Sequence, residues 1–221
     1  MFLQIENLLA PAEVQAIAEI ARKAKFIDGR LSNPHNIAKD NVIADVANDP
    51  LARQAGQIAL AALQRSEEAR DFCYPQRVAV PTLLRYDGGM KYGVHVDAAF
   101  LPIGGQLLRS DVSCTLFISN PQDYEGGELA IHLGTQVMRI KGQAGTAVLY
   151  PSTRLHEVTP VTSGARLVMI TFIESQIRDE AQRELLYTLN EVRALEGLKI
   201  DWHNRTRLEY VIANLLRMWS K

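Results

Sequence analysis

From Val78 to Ile173 the chain is written in short runs of β-branched and aromatic residues, each closed by a turn signal. Arg77 to Tyr86 reads as a strand, and Asp87-Gly88-Gly89 turns it. The pattern repeats over Tyr92 to Asp97, Val112 to Ser119, Glu128 to His132, Val137 to Ile140, Ala147 to Tyr150, Glu157 to Val161 and Arg166 to Ile173. Asn120-Pro121, Gly126-Gly127, Gly134 and the tight turn Ser163-Gly164 supply the breaks. Such residues suit a pleated, half-buried surface, and the breakers permit reversals, so the stretch predicts an all-β sandwich or barrel.

Helical periodicity flanks that stretch. Pro11 fits a first helical position, and Val14, Ile17, Ile20, Ala21 and Ala24 recur at helical spacing before Gly29. The polar run from Ser32 to Asn41 reads as a loop. Asp49 can cap a second helix, with Pro50 in its first turn and Leu51, Ala55, Ile58, Ala62 and Leu63 as its stripe, fraying near Ser66 to Arg70. After Glu174, the residues Leu185, Leu186, Leu189, Val192 and Leu195 mark a further helix that Gly197 ends. A last helix spans about Arg205 to Trp219. The expected organisation is helices and loop packing on the barrel over 1–76, the barrel itself over 77–176, and a helical segment over 177–221. The apolar C-terminal helices would cover a barrel edge or form a homo-oligomer surface.

Composition excludes more than it selects. A chain of 221 residues, 47% hydrophobic and 22% charged, can bury one sizeable core. A formal charge of −1 without a basic block gives no footprint for nucleic acid or a membrane surface. Cys73 and Cys114 read as buried, reduced thiols of a cytoplasmic protein. The opening Met1 to Leu9 lacks the basic start of a signal peptide, and no run approaches the roughly 18 apolar residues of a membrane span.

The chemistry starts at His95-Val96-Asp97. In a strand, residues i and i+2 share a face, so an imidazole and a carboxylate can converge on one ion. With 5 His in the chain, that pair alone reads more readily as a hydrogen-bonded surface couple. His156, before another strand, supplies a second imidazole, and two His with one carboxylate leave positions open on an iron. Arg166 follows across the Ser163-Gly164 pair, a separation that predicts a hairpin bringing it into the barrel mouth. A guanidinium there can hold the far carboxylate of a 2-oxo acid whose near end chelates the metal.

The run Arg85-Tyr86-Asp87-Gly88-Gly89-Met90-Lys91-Tyr92-Gly93-Val94-His95-Val96-Asp97 resembles the prolyl 4-hydroxylase-like iron/2-oxoglutarate oxygenases. Within them the chain looks like the bacterial PKHD-type hydroxylases. Matching stretches are Phe26 to Arg30, Thr115 to Ser119, Tyr124 to Leu129, Leu149 to Ser152 and Leu155 to Arg166, so the likeness covers nearly the whole chain. It implies a mainly β fold with flanking helices around a double-stranded β-helix, a cupin-like jelly roll. It implies His95, Asp97 and His156 as iron(II) ligands and Arg166 as the 2-oxoglutarate clamp. The reaction implied is hydroxylation of a peptide or small-molecule substrate using O2, with release of succinate and CO2 and with ascorbate in support. Ser32 to Asn48 departs from the group's basic, asparagine-rich pattern, so the group's substrate does not carry over. The rival readings are a cupin-like metal enzyme that uses no 2-oxo acid and a non-catalytic iron or 2-oxoglutarate sensor.

Lesser candidates remain. Tyr86 is placed to donate a hydrogen bond to bound 2-oxoglutarate, while Tyr92 reads as a strand buttress. On Val112 to Ser119, either Ser113, Thr115 and Phe117 or Cys114, Leu116 and Ile118 face inward. Arg109 and Arg154 read as exposed loop arginines, and His35, His132 and His203 as structural or solvated.

Overall fold

The computed structural model describes residues 1–33 and 36–220, so the expectation for His35 lies outside the described residues. The chain opens with β1 (Leu3–Ile5), α1 (Pro11–Lys23), β2 (Phe26–Asp28), β3 (Lys39–Asp40) and β4 (Val42–Ala44). Next come α2 (Pro50–Arg65), α3 (Glu67–Cys73), β5 (Pro75–Val78), β6 (Thr82–Tyr86) and β7 (Lys91–His95). The middle holds β8 (Phe100–Ile103), β9 (Gln106–Arg109), β10 (Val112–Phe117), β11 (Tyr124–Gly126), β12 (Leu129–Leu133) and β13 (Gln136–Ile140). The chain closes with β14 (Ala147–Pro151), β15 (His156–Val158), β16 (Val161–Gly164), β17 (Arg166–Ser175), α4 (Glu180–Glu196) and α5 (Trp202–Trp219).

Two antiparallel sheets carry the architecture. The larger runs β1-β14-β10-β17-β6-β4-β2, with β5 also on β17, and the smaller runs β13-β12-β15-β7-β3. Neighbouring strands are rarely consecutive in the chain, which makes the pair of sheets a jelly roll with helices on the outside. Leu84, Phe117, Val148 and Val168 from the larger sheet meet Leu129, Ile131 and Val158 from the smaller one in the inner core. The outer face of the larger sheet buries Leu83, Leu116, Leu149 and Met169 against Ile17, Ala55 and Ala59 of α1 and α2. Strand β10 is therefore buried on both sides. Cys114, Leu116 and Ile118 face the helices, Phe117 the inner core, and Ser113 and Thr115 a cavity between the sheets.

Several expectations change. Ser163-Gly164 is not a hairpin turn: β15 pairs with β12 and β7, whereas β17 pairs with β10, β6 and β5. Residues 161–164 form β16 against β11, and Gly164 (φ 73°) lets the strands touch, since a Cβ there would lie 2.2 Å from the Asp123 carbonyl. Ser66 does not mark fraying but starts a new helix, its Oγ accepting from the Ala69 N–H at 3.1 Å. The expected loop from Ser32 to Asn41 contains β3, which pairs with β7. The hairpin β8–β9 was not anticipated, although Gly104-Gly105, both at positive φ, is a standard signal for one.

Candidate active site

The smaller sheet builds one end of the site. His156 of β15 and His95 of β7 are direct register partners, and their ring centroids lie 4.2 Å apart. His95 Nδ1 donates to the Gly93 carbonyl at 2.8 Å, and His156 Nδ1 donates to the Arg154 carbonyl at 3.0 Å. A carbonyl can only accept, so both rings carry a proton on Nδ1 and turn Nε2 toward Asp97. Asp97, just past β7, sets Oδ1 4.0 Å from His95 Nε2 and Oδ2 3.7 Å from His156 Nε2. The three donor atoms all lie within 4.8 Å of one another.

The surroundings fix these groups. Ser113 Oγ donates to Asp97 Oδ2 at 2.5 Å and lies 2.7 Å from Ser152 Oγ. The Tyr92 ring stacks on His95 with centroids 3.6 Å apart, and Tyr150 meets His156 edge-on at 5.1 Å. Burial, helped by His156, pushes the His95 imidazole down to about 4, so it is neutral near pH 7. Burial also raises the Asp97 carboxyl, opposed by His156 and the Ser113 hydrogen bond. Two imidazoles that turn Nε2 inward and one buried carboxylate form a donor set that a divalent cation completes. The 2-His-1-carboxylate set suits iron(II) with open positions better than a closed zinc tetrahedron.

The larger sheet builds the other end. Arg166 opens β17 opposite Tyr86 of β6 and is 1% exposed. Its guanidinium lies over the rings of Tyr86 and Phe117, 5.1 and 5.7 Å from the centroids. Nε and Nη1 are buried without a partner among the described residues, as is the Tyr124 hydroxyl. Gly127 keeps this corner open: a Cβ on it would lie 3.0 Å from both Arg166 Cδ and Tyr124 Cε2. A buried cation with idle donors is costly unless an anion joins it. One cavity connects this corner to the metal end, lined by Tyr86, Arg166, His95, Asp97 and His156 among others. A dicarboxylate with one end on a metal and the other on Arg166 fits that arrangement.

All five singled-out residues therefore share a cavity. Arg166 reaches it from the sheet opposite His156, not from an adjacent strand. Ser113 belongs to one of the two inward-facing sets the sequence allowed, whereas sequence reasoning missed Tyr124, Ser152, Tyr150 and Lys39, the last buried on β3 in the same cavity. Arg109 is no free loop arginine, since it clamps Asp111 at 2.8 and 2.9 Å and the Ser175 carbonyl at 2.9 Å. Arg154 is ion-paired with Glu180. His132 Nε2 is buried outside the cavity with no partner among the described residues, and His203 is exposed on α5.

Comparison with known proteins agrees with this geometry. Residues 81–174 match the 2OG-Fe(II) oxygenase superfamily. A PKHD-type hydroxylase of Sphingopyxis alaskensis is 46% identical over 99% of this chain and 99% of its own. Another from Paraburkholderia phytofirmans is 37% identical over the full length of both. The fold is shared with a Trichoplax adhaerens prolyl hydroxylase solved with a peptide fragment, at a TM-score of 0.57 and 20% identity over 83% of this chain and 86% of that one. A single strand order, one cavity and full-length kinship thus converge, and the chain belongs to the PKHD-type hydroxylases of the 2OG-Fe(II) oxygenase superfamily.

Proposed function

We propose that His95, Asp97 and His156 hold iron(II), and that Arg166, with Tyr124 and Tyr86 beside it, holds the far carboxylate of 2-oxoglutarate. The enzyme then hydroxylates a peptidyl residue, an amino acid or a siderophore-like small molecule. The observation that carries this reading is Arg166: a buried guanidinium with Nε and Nη1 idle, facing the cavity that ends at the triad.

When bound, the iron and 2-oxoglutarate supply the oxidation, in which O2 gives one oxygen atom to the substrate and one to succinate as CO2 leaves. The chain's own part is positional. The backbone carbonyls of Gly93 and Arg154 hold the imidazole tautomers, Ser113 holds the carboxylate, and Arg166 sets the direction of the dicarboxylate. Leu129, Val158, Val168 and Ile170 line the space between the two ends and keep it dry. Ascorbate would serve as supporting reductant. A cytoplasmic location accords with two buried free thiols, Cys73 and Cys114, and no helix among the described residues is long and apolar enough to cross a membrane. The exposed Leu195, Trp202 and Met218 of the C-terminal segment support a homo-oligomer.

The test is anaerobic. Iron(II) followed by 2-oxoglutarate should produce a visible metal-to-ligand charge-transfer band, and admitting oxygen should release succinate. Wild-type succinate release by a His95→Ala protein would sink the assignment.

A further inference from the structure

Among the described residues that line the cavity, Lys39 is the one charged side chain that neither the triad nor the 2-oxoglutarate corner uses. It sits on β3 opposite Tyr92 of β7 and is 6% exposed. Its Nζ donates to Ser32 Oγ at 2.6 Å and lies 5.1 Å from the centre of the Tyr92 ring. Among the described residues no carboxylate comes within ion-pair distance of it. Burial lowers its pKa, against the opposing fields of Asp97 and Asp28. Asp28 is already held by Arg30, with Arg30 Nη2 donating at 2.6 Å, and Asp97 is engaged by the metal in the proposed holoenzyme.

The buried charges decide what Lys39 is for. A divalent metal and Arg166 carry three positive charges, and Asp97 with a bound dicarboxylate carries three negative ones. An imidazole that ligates a metal is neutral, so that set closes without Lys39. Its ammonium, withdrawn from water and with donor capacity to spare, then needs one further anion at the metal end of the cavity.

We infer that Lys39 binds a carboxylate of the substrate being oxidised, so that the substrate class is a carboxylate-bearing small molecule and not an internal residue of a peptide. The inference rests on the dioxygenase reading above. A charge-assisted contact of this kind corresponds to about 10- to 100-fold in affinity.

The experiment uses the anaerobic complex of full-length protein, iron(II) and 2-oxoglutarate. Free L-amino acids and simple hydroxy acids are added, each beside its carboxamide, and the shift of the charge-transfer band and the later succinate release are read. At least one acid should perturb the band and stimulate succinate release, and its amide should need about 10- to 100-fold more. Lys39→Met should lose the response to that acid while its 2-oxoglutarate titration stays within about twofold of wild type. Lys39→Arg should recover part of the response. Band formation by Lys39→Met also shows that the variant folds. Equal response to acid and amide overturns the inference, as does a panel in which no acid acts. A Lys39→Met protein that binds 2-oxoglutarate about tenfold more weakly overturns it too, by moving Lys39 to the co-substrate. If wild type forms no band at all, the dioxygenase reading itself has failed.

Discussion

His95 and His156 are register partners across β7 and β15, and each gives its Nδ1 proton to the carbonyl two residues before it. Backbone geometry therefore fixes both tautomers. The two imidazoles are oriented by backbone carbonyls alone, so replacing either ring loses the ligand atom together with the group that aims it. Gln in place of either His keeps the approximate size but removes the aromatic nitrogen. His95→Gln and His156→Gln should each abolish stoichiometric iron(II) binding in equilibrium dialysis and reduce succinate formation to background. Retention of tight binding by either would mean that the three donors are not the metal site.

Ser113 is the group that orients Asp97, through a 2.5 Å bond to Oδ2, and Ser152 reaches the carboxylate only through Ser113. Partners of metal ligands are typically worth about 10- to 100-fold in metal affinity. Ser113→Ala should weaken iron(II) affinity by that amount in competition with a chelator, and Ser152→Ala by clearly less. A Ser152 effect as large as that of Ser113 would contradict the relay.

The N-terminal layer should be the acid-sensitive part of the molecule. Asp49 caps α2, accepting from the Lys25 N–H at 2.7 Å and the Leu51 N–H at 2.9 Å, and these bonds lower its carboxyl. The Arg65 hydrogen bond lowers Glu13, and the Asn48 side chain lowers Asp45. A carboxyl lowered in the folded state adds stability above its unfolded pKa, and that stability is lost as pH falls through the folded value. The loss should therefore set in near pH 4 and below. Asp49→Asn turns an amide NH2 toward one of the two donors. It should melt about 2–4 °C below wild type at pH 7 and converge with it near pH 3. Parallel curves across that range would show that Asp49 does not carry the effect.

What could be read from sequence was whatever local spacing determines. His95 and Asp97 share a strand, Asp49-Pro50 starts a helix, and Glu180–Glu196 carries its own apolar stripe. His156 and Arg166 were singled out from their place in the strand pattern, and the resemblance supported both. What failed was pairing between distant strands. The Ser163-Gly164 signal is a true close approach, but to β11 and not to a neighbouring hairpin arm. Strand β10 hides its facing because all of its residues are buried, so polarity does not alternate. Lys39 was illegible for another reason: a lysine in a polar stretch reads as solvated, and only the pairing of β3 with β7 puts it inside.

Arg166 makes the two demands on this protein oppose one another. Without an anion it is a buried cation with idle Nε and Nη1, offset in part by the Tyr86 and Phe117 rings. Replacing such a charge by an apolar side chain of similar length is often neutral or stabilising. Arg166→Met in the metal-free protein should therefore melt at or a few degrees above the wild-type temperature. With manganese(II) standing in for iron and 2-oxoglutarate added, the order should reverse. At a ligand concentration of about 100 times Kd, wild type gains roughly 2.7 kcal/mol, or about 5–10 °C for a chain of this size. The variant, with its affinity reduced about 10- to 100-fold, gains far less at the same concentration. Thermal unfolding of both proteins with and without the two ligands reads the crossing directly. A variant that melts well below wild type without ligand would show that the guanidinium is a structural strut, and one that gains the full ligand shift would place the 2-oxoglutarate carboxylate elsewhere.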